Sequence, residues 1–174
     1  MPELPEVETV RRGLADLLPG QAVVRATVFD SPKSFPNSPT DVQQFLYGAH
    51  VTAVRRRAKV LMIDLDTRYS LVIHLKMTGQ LIFRGANSFA GGHPNDSLIG
   101  ELPDRSTRAQ IDFTDGSRLF FNDQRKFGWM KLMPTDEIEN LPFMQKVGPE
   151  PLDKKTEVSD FIKRIRRRQN SMIK

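Results

Sequence analysis

Residues 51–83 read VTAVRRRAKVLMIDLDTRYSLVIHLKMTGQLIF, and this run decides the fold. Short stretches rich in Val, Ile and Leu alternate with turn residues at intervals too short for helices. Strands are expected near Val51–Arg57, Val60–Leu65, Leu71–Leu75 and Gln80–Phe83, with Asp66-Thr67-Arg68 as a turn. Working outward, Ala109–Phe113 and Arg118–Phe121 read as a hairpin closed by Asp115-Gly116, and Trp129–Met133 as a further strand. Upstream, Gln21–Asp30 alternates around Val23, Val24 and Val28 as a strand, and Ser31–Thr40 is a Ser- and Pro-rich loop. Thr40-Asp41 is expected to cap a short helix ended by Gly48, and Thr135 another near Thr135–Asn140. Arg84–Thr107 reads as one long polar loop, a length usually reserved for function or disorder. The sum is an α+β fold, mainly β: a two-sheet antiparallel β-sandwich flanked by an N-terminal helix and a second short helix.

The N-terminal helix is announced by Leu4, Val7, Val10, Leu14, Leu17 and Leu18 at helical spacing, stopped by Pro19-Gly20. Ahead of it stands Met1-Pro2-Glu3-Leu4-Pro5-Glu6. A residue as small as Pro2 normally lets the initiator Met be removed, which would leave a free secondary amine at the chain start. Condensed with a sugar aldehyde, such an amine gives a cationic iminium, an electron sink of the kind used in covalent catalysis. Glu3 and Glu6 lie three residues apart and share a helical face, so a nucleophile and acid/base candidates fall within one turn. The same residues are also ordinary helix-start grammar: proline and acids both suit a first turn.

Composition narrows the partners. The chain has 174 residues, a net charge of +5 and a pI of about 9.7, which suits a polyanion. It has no cysteine, so disulfides, thiolate catalysis and Cys-ligated zinc are excluded within it. His50, His74 and His93 are scattered and suggest no metal site. No apolar run has the length of a membrane span and no signal peptide is visible, so the expectation is a cytoplasmic protein. Lys154–Lys174 holds eight basic residues against two acidic ones. Val158, Phe161, Ile162 and Ile165 make that segment an amphipathic basic helix, after a boundary at Gly148-Pro149-Glu150-Pro151.

Three further clusters carry candidate chemistry. Arg55-Arg56-Arg57-Ala58-Lys59 enters a strand whose alternation turns Arg55, Arg57 and Lys59 one way; such clusters bind phosphates, as well as decorating exposed rims. His74-Leu75-Lys76-Met77-Thr78-Gly79 ends a strand in a turn, where Met77 is either core filler or an apolar wedge for unstacked bases. Asn122-Asp123-Gln124-Arg125-Lys126-Phe127-Gly128 is a turn offering an arginine fork for a base edge and an aromatic face for stacking.

Four motifs, the Pro2–Leu14 start among them, stand in the order seen in the formamidopyrimidine-DNA glycosylases, and the chain resembles that family. The resemblance runs from Pro2 to Lys174, with gaps across Ser31–Thr40 and Gly85–Thr107. It implies a glycosylase and abasic-site lyase acting on oxidised purines in double-stranded DNA. Pro2 is then the nucleophile, Glu3 the general acid, Glu6 a residue that orients the amine or closes the helix start, and Lys59 an aid to phosphate contact and elimination. It implies DNA contacts at Arg57, His74 and Arg108, a wedge at Met77, a reader of the orphaned cytosine at Arg125 and a second wedge at Phe127. Lys76 stands where the family has glycine, Gln124 where it has proline and Lys126 where it has arginine. Residues 1–150 would be the catalytic β-sandwich domain, and 151–174 the linker and first helical segment of a truncated helix–two-turn–helix domain. No cofactor is expected in this chain; zinc is expected in a C-terminal part beyond it. A monomer associated with the bacterial nucleoid is the expected state. Two other readings stay open: a non-catalytic nucleic-acid-binding module, and a catalytic domain left inactive by truncation.

Overall fold

The computed structural model describes residues 1–150 and 153–167. Pro151 of the expected boundary, and residues 168–174 of the expected basic helix, lie outside the described residues.

The first helix, α1 (Leu4–Leu17), begins one residue after Glu3, with Pro5 in its first turn. Its apolar stripe of Val7, Val10, Leu14 and the following Leu18 is fully buried. The strands are β1 (Val23–Val28), β2 (Val51–Arg57), β3 (Val60–Leu65), β4 (Tyr69–His74), β5 (Gly79–Arg84), β6 (Phe89–Gly92), β7 (Thr107–Phe113), β8 (Arg118–Asp123) and β9 (Trp129–Pro134). They form a five-stranded sheet in the order β1-β7-β8-β5-β6 and a four-stranded sheet in the order β2-β3-β4-β9. Every pairing is antiparallel. The two inner faces and α1 share one core, from Val10 and Leu14 through Leu61, Ile63, Ile73 and Leu81 to Phe121. A second cluster of Val60, Met62, Val72, Met133, Ile138 and Met144 covers the outer face of the four-stranded sheet. The central strands β3 and β4 of that sheet are therefore dry on both sides, which explains why Val60–Ile63 and Leu71–Ile73 are unbroken apolar runs rather than alternating ones.

Three local expectations are corrected. The helix α2 (Pro39–Phe45) is capped by Ser38, whose Oγ accepts the Asp41 N–H at 3.2 Å, and not by Thr40-Asp41. Thr135–Asn140 is a 3-10 helix with no side-chain cap, followed by a single turn of α-helix, α3 (Pro142–Gln145). The long stretch Arg84–Thr107 is not all loop, since it holds β6 and a 3-10 turn at Asp96–Leu98. Phe-Ala-Gly-Gly has no strand periodicity of its own; β6 exists because β5 supplies a ladder and α1 a seat. The seat is Gly13, where any Cβ would come within 2.2 Å of the Phe89 ring. The last described helix is α4 (Val158–Arg167), on which Val158, Phe161, Ile162 and Ile165 are all exposed.

Candidate active site and nucleic-acid interface

One end of the sandwich collects nearly every residue that the sequence singled out. Strand register fixes this. Val60 at the start of β3 lies opposite His74 at the end of β4, which lies opposite Trp129 at the start of β9. In the other sheet Gly79 at the start of β5 faces Asp123 at the end of β8. The turns at 58–59, 75–78 and 124–128 therefore emerge at the same end.

The β2–β3 turn has only two residues, Ala58 and Lys59. Ala58 takes a φ of +49°, and this left-handed step reverses the chain. Strand alternation stops there, so Lys59 does not continue the row of Arg55 and Arg57 as expected. It turns instead to the start of α1, where its Nζ lies 2.6 Å from Glu3 Oε2. That hydrogen bond holds the Glu3 carboxyl below the usual carboxylate range. The resting state of Glu3 is thus an ionised partner of Lys59, opposite to that of a resting general acid. Glu6 accepts the Glu3 backbone N–H at 2.9 Å, so it closes the helix start. Pro2 is buried in the chain that carries Met1, while Met1 itself is 57% exposed. Its nitrogen is there an amide; the amine expected from the sequence exists only once Met1 is gone.

The arginine cluster is largely committed within the fold. Arg55 holds Asp64 at 2.5 and 3.1 Å, and Arg57 is paired with Glu139. Arg57 reaches a phosphate only by leaving that exposed pair. Arg56 points inward, its side chain 4% exposed, between Glu8 at 2.8 Å and Glu150 at 2.9 Å. Hydrogen bonds from Arg11 first, and from Arg56 and Arg12, pull the Glu8 carboxyl down to about 2.

At the β4–β5 turn, Met77 is 36% exposed. Lys76, where the resembled loop has glycine, takes a φ of +52° and carries the strain that glycine would avoid. His74 accepts the Lys76 N–H on Nδ1 at 3.1 Å, which leaves Nε2 as the protonated nitrogen and the possible phosphate donor. Burial, and then the charges of Lys76 and Lys59, push His74 down to about 4. It is therefore neutral at pH 7.

These shifts give an acid-stability prediction. His74 binds a proton in the unfolded chain below its ordinary 6.5 but not in the folded one until about 4. Stability is complete above pH 6.5 and falls as pH drops through that window, by about 1–2 kcal/mol once water screening of the partly exposed ring is allowed for. Glu8, depressed from 4.5 to about 2, adds a second loss between those values. Urea unfolding at a series of pH values should show both limbs, and His74→Gln should flatten only the upper one. An unchanged upper limb in that variant would show that His74 is not its source.

The 124–128 turn is braced from beneath by Asp123, which is fully buried. Its carboxyl oxygens accept the Gly128 N–H at 2.6 Å, the Arg125 N–H at 3.3 Å and the Thr78 hydroxyl. Thr78 in turn accepts the Arg125 N–H at 3.0 Å, so the two turns share one bolt. Gly128 passes so near His74 that a Cβ there would lie 2.9 Å from the His74 carbonyl oxygen. Above this base, Phe127 is 54% exposed and the Arg125 guanidinium stacks over its ring at 4.8 Å. Arg108 is placed otherwise than expected. It is 4% exposed, and its Nε donates to the Asp123 carbonyl at 2.7 Å, so it supports the turn from inside.

Sequence reading missed Asp123, Thr78, Arg56 and Glu150 as working residues. Only the strand alternation at Arg56, opposite in phase to Arg55 and Arg57, signalled an inward side chain. Among the described residues no three His, Asp or Glu side chains gather as a metal site, and the chain lacks cysteine. A zinc centre therefore has no ligand set in this stretch. Among them also, no helix is long and apolar enough to cross a membrane.

Residues 1–130 match the family model described as formamidopyrimidine-DNA glycosylase N-terminal domain, and the chain belongs to that family. It is 42% identical over 154 residues to the formamidopyrimidine-DNA glycosylase of Jannaschia sp. (strain CCS1), covering 87% of this chain and 52% of the relative. It is 36% identical over 176 residues to that of Roseobacter denitrificans, covering 100% of this chain and 59% of the relative. The chain thus spans about half the length of the curated relatives it matches. Among solved structures, the complex of Lactococcus lactis Fpg with DNA containing an abasic site superposes with a TM-score of 0.76 at 26% identity, covering 95% of this chain and 55% of that one. The complex of the wild-type L. lactis protein with DNA containing N7-benzyl-Fapy-dG does so with a TM-score of 0.76 at 27% identity, covering 95% and 56%.

Proposed function

We propose that this chain carries the catalytic half of a glycosylase and abasic-site lyase for oxidised purines, formamidopyrimidines and 8-oxoguanine, in double-stranded DNA. Residues 1–150 form the catalytic domain in this reading, and 151–174 open a second, helical one. The protein works as a monomer in the cytoplasm, where the DNA is. The carrying observation is the 2.6 Å contact between Lys59 and Glu3, which joins the chain start to the end where the Met77 and Arg125–Phe127 turns emerge.

The damaged nucleotide leaves the stack, and Met77, Arg125 and Phe127 take its place. The Pro2 amine, freed of Met1, bonds to the sugar C1′ as the glycosidic bond breaks and the base leaves with that electron pair. A proton must reach the opening sugar or the departing base. Glu3 is the donor to that atom, and because it rests ionised, Lys59 Nζ is the nearest group able to resupply it. The amine sheds its proton and the C1′–O4′ bond breaks, O4′ leaving as a protonated hydroxyl, which gives the iminium; the iminium makes the C2′ hydrogen acidic. Its loss expels the 3′ phosphate by β-elimination, and δ-elimination expels the 5′ phosphate.

The test is reductive trapping. A chain shown by intact mass to lack Met1, mixed with an abasic-site duplex and borohydride, should give a covalent protein–DNA adduct mapped to Pro2. An abasic site needs no base removal and flips most easily. No adduct from such a chain, under conditions where it binds the duplex, would overturn the enzymatic reading in favour of a binding module.

A further inference from the structure

The β2–β3 turn is held from behind by a residue far away in sequence. Glu150 lies in the segment that leads out of the sandwich, with its side chain 21% exposed. It accepts from Arg56 Nη1 at 2.9 Å and Nη2 at 3.0 Å, and from the Ala58 backbone N–H at 3.2 Å. Arg56 also donates to the Ala58 carbonyl at 3.1 Å and to Glu8 on α1 at 2.8 Å. Both backbone groups of Ala58, the residue with the left-handed φ, are thereby fixed. Lys59 is the next residue. The helix bearing Glu8 is the helix capped by Glu3. One buried guanidinium thus joins three segments, and both members of the Lys59–Glu3 pair hang from it.

Such a cluster is a poor device for stability, because desolvating its charges offsets much of their attraction. Its best-attested use is to select one geometry over near neighbours. We infer that Glu150 is a positioning residue for the proposed reaction: through Arg56 and the Ala58 N–H it sets the turn so that Lys59 meets Glu3. The inference rests on the reading of Lys59 and Glu3 as active-site groups. It also means that the segment leaving the domain is wired to that pair, so displacement of residue 150 would be felt at the chain start.

The experiment compares the full chain with Glu150→Gln, Glu150→Ala and Lys59→Met, and with Val42→Ala as a control that loosens the core at α2. Carbon-detected NMR follows the Glu3 carboxyl through its titration. In the parent it titrates below 4.5. Lys59→Met should return it to the ordinary range. Glu150→Ala should move it most of the way and Glu150→Gln, which keeps an acceptor for Ala58, less. Val42→Ala should leave it in place despite a lowered Tm. Trapping on the abasic-site duplex should slow by about tenfold or more in Glu150→Ala, with duplex affinity nearly unchanged. Should Glu3 titrate as in the parent in a folded Glu150→Ala chain, or should its shift merely track Tm across all variants including Val42→Ala, the positioning role is overturned. Absence of trapping in the parent would sink the proposed function instead, and the titration would still decide the wiring.

Discussion

A chain that keeps Met1, with the Met1 amine blocked by acetylation, should give no borohydride-trapped adduct with an abasic-site duplex, while binding that duplex within about twofold of the mature chain, because phosphate contacts dominate affinity. The reason is elementary. In the Met1-bearing chain the Pro2 nitrogen is part of an amide, with its lone pair delocalised into the carbonyl and no capacity to form a second C–N bond. Removing one residue turns it into a secondary amine whose ordinary pKa, about 7.7–8.0, leaves a useful unprotonated fraction near neutrality. A secondary amine gives an iminium that stays charged. A primary amine gives an imine that must first be protonated. Pro2→Gly in a Met1-free chain should therefore still be trapped, but more slowly. Quantifying adduct on denaturing gels and mapping the modified peptide by mass spectrometry would settle the matter. An undiminished adduct in the Met1-bearing chain, mapped to Lys59, would transfer the nucleophile to the amino group that sits 2.6 Å from Glu3.

How far the sequence foretold this site depends on the range of the interactions involved. Strands β3 to β5 were legible because burial on both faces writes apolar runs directly into the chain, and β2 because burial on one face writes alternation. Met77, Arg125 and Phe127 were legible as candidates because a large apolar or charged residue on a turn is conspicuous. What was not legible comes from tertiary partners. β6 depends on the notch at Gly13, more than seventy residues upstream. Arg56 and Arg57 are neighbours of one chemical type on opposite faces of β2; alternation separates them, but that the inward one is held in an ion cluster follows only from Glu8 and Glu150. Lys59 is conspicuous in the sequence, but strand alternation does not carry through Ala58, whose left-handed φ turns Lys59 away from the row of Arg55 and Arg57. The depressed Glu3 carboxyl follows from that turn and from no local pattern.

Asp123→Ala should be the most damaging single change among the turn residues, lowering stability by about 3–5 kcal/mol through buried donors left without an acceptor. The parent carboxyl answers the Gly128 and Arg125 N–H groups and the Thr78 hydroxyl inside a fully buried site. The hydroxyl can rotate to another partner and the Arg125 N–H keeps its 3.0 Å bond to Thr78, but the Gly128 N–H is left without its acceptor. In a domain of this size the loss corresponds to a fall in Tm of about 10 °C. Asp123→Asn keeps one acceptor oxygen but turns an N–H pair toward donors, so it should fold and still slacken the turn. That variant carries the functional test. Arg125 and Phe127 sit on the loosened segment, and a bidentate arginine contact contributes about 1–3 kcal/mol of discrimination at a base. The parent is expected to bind an abasic-site duplex more tightly with cytosine opposite the gap than with adenine, and Asp123→Asn should lose most of that ratio while retaining general affinity. If the ratio survives in Asp123→Asn although Tm has fallen, the fork is held by its own stack on Phe127, and the brace beneath it serves stability alone.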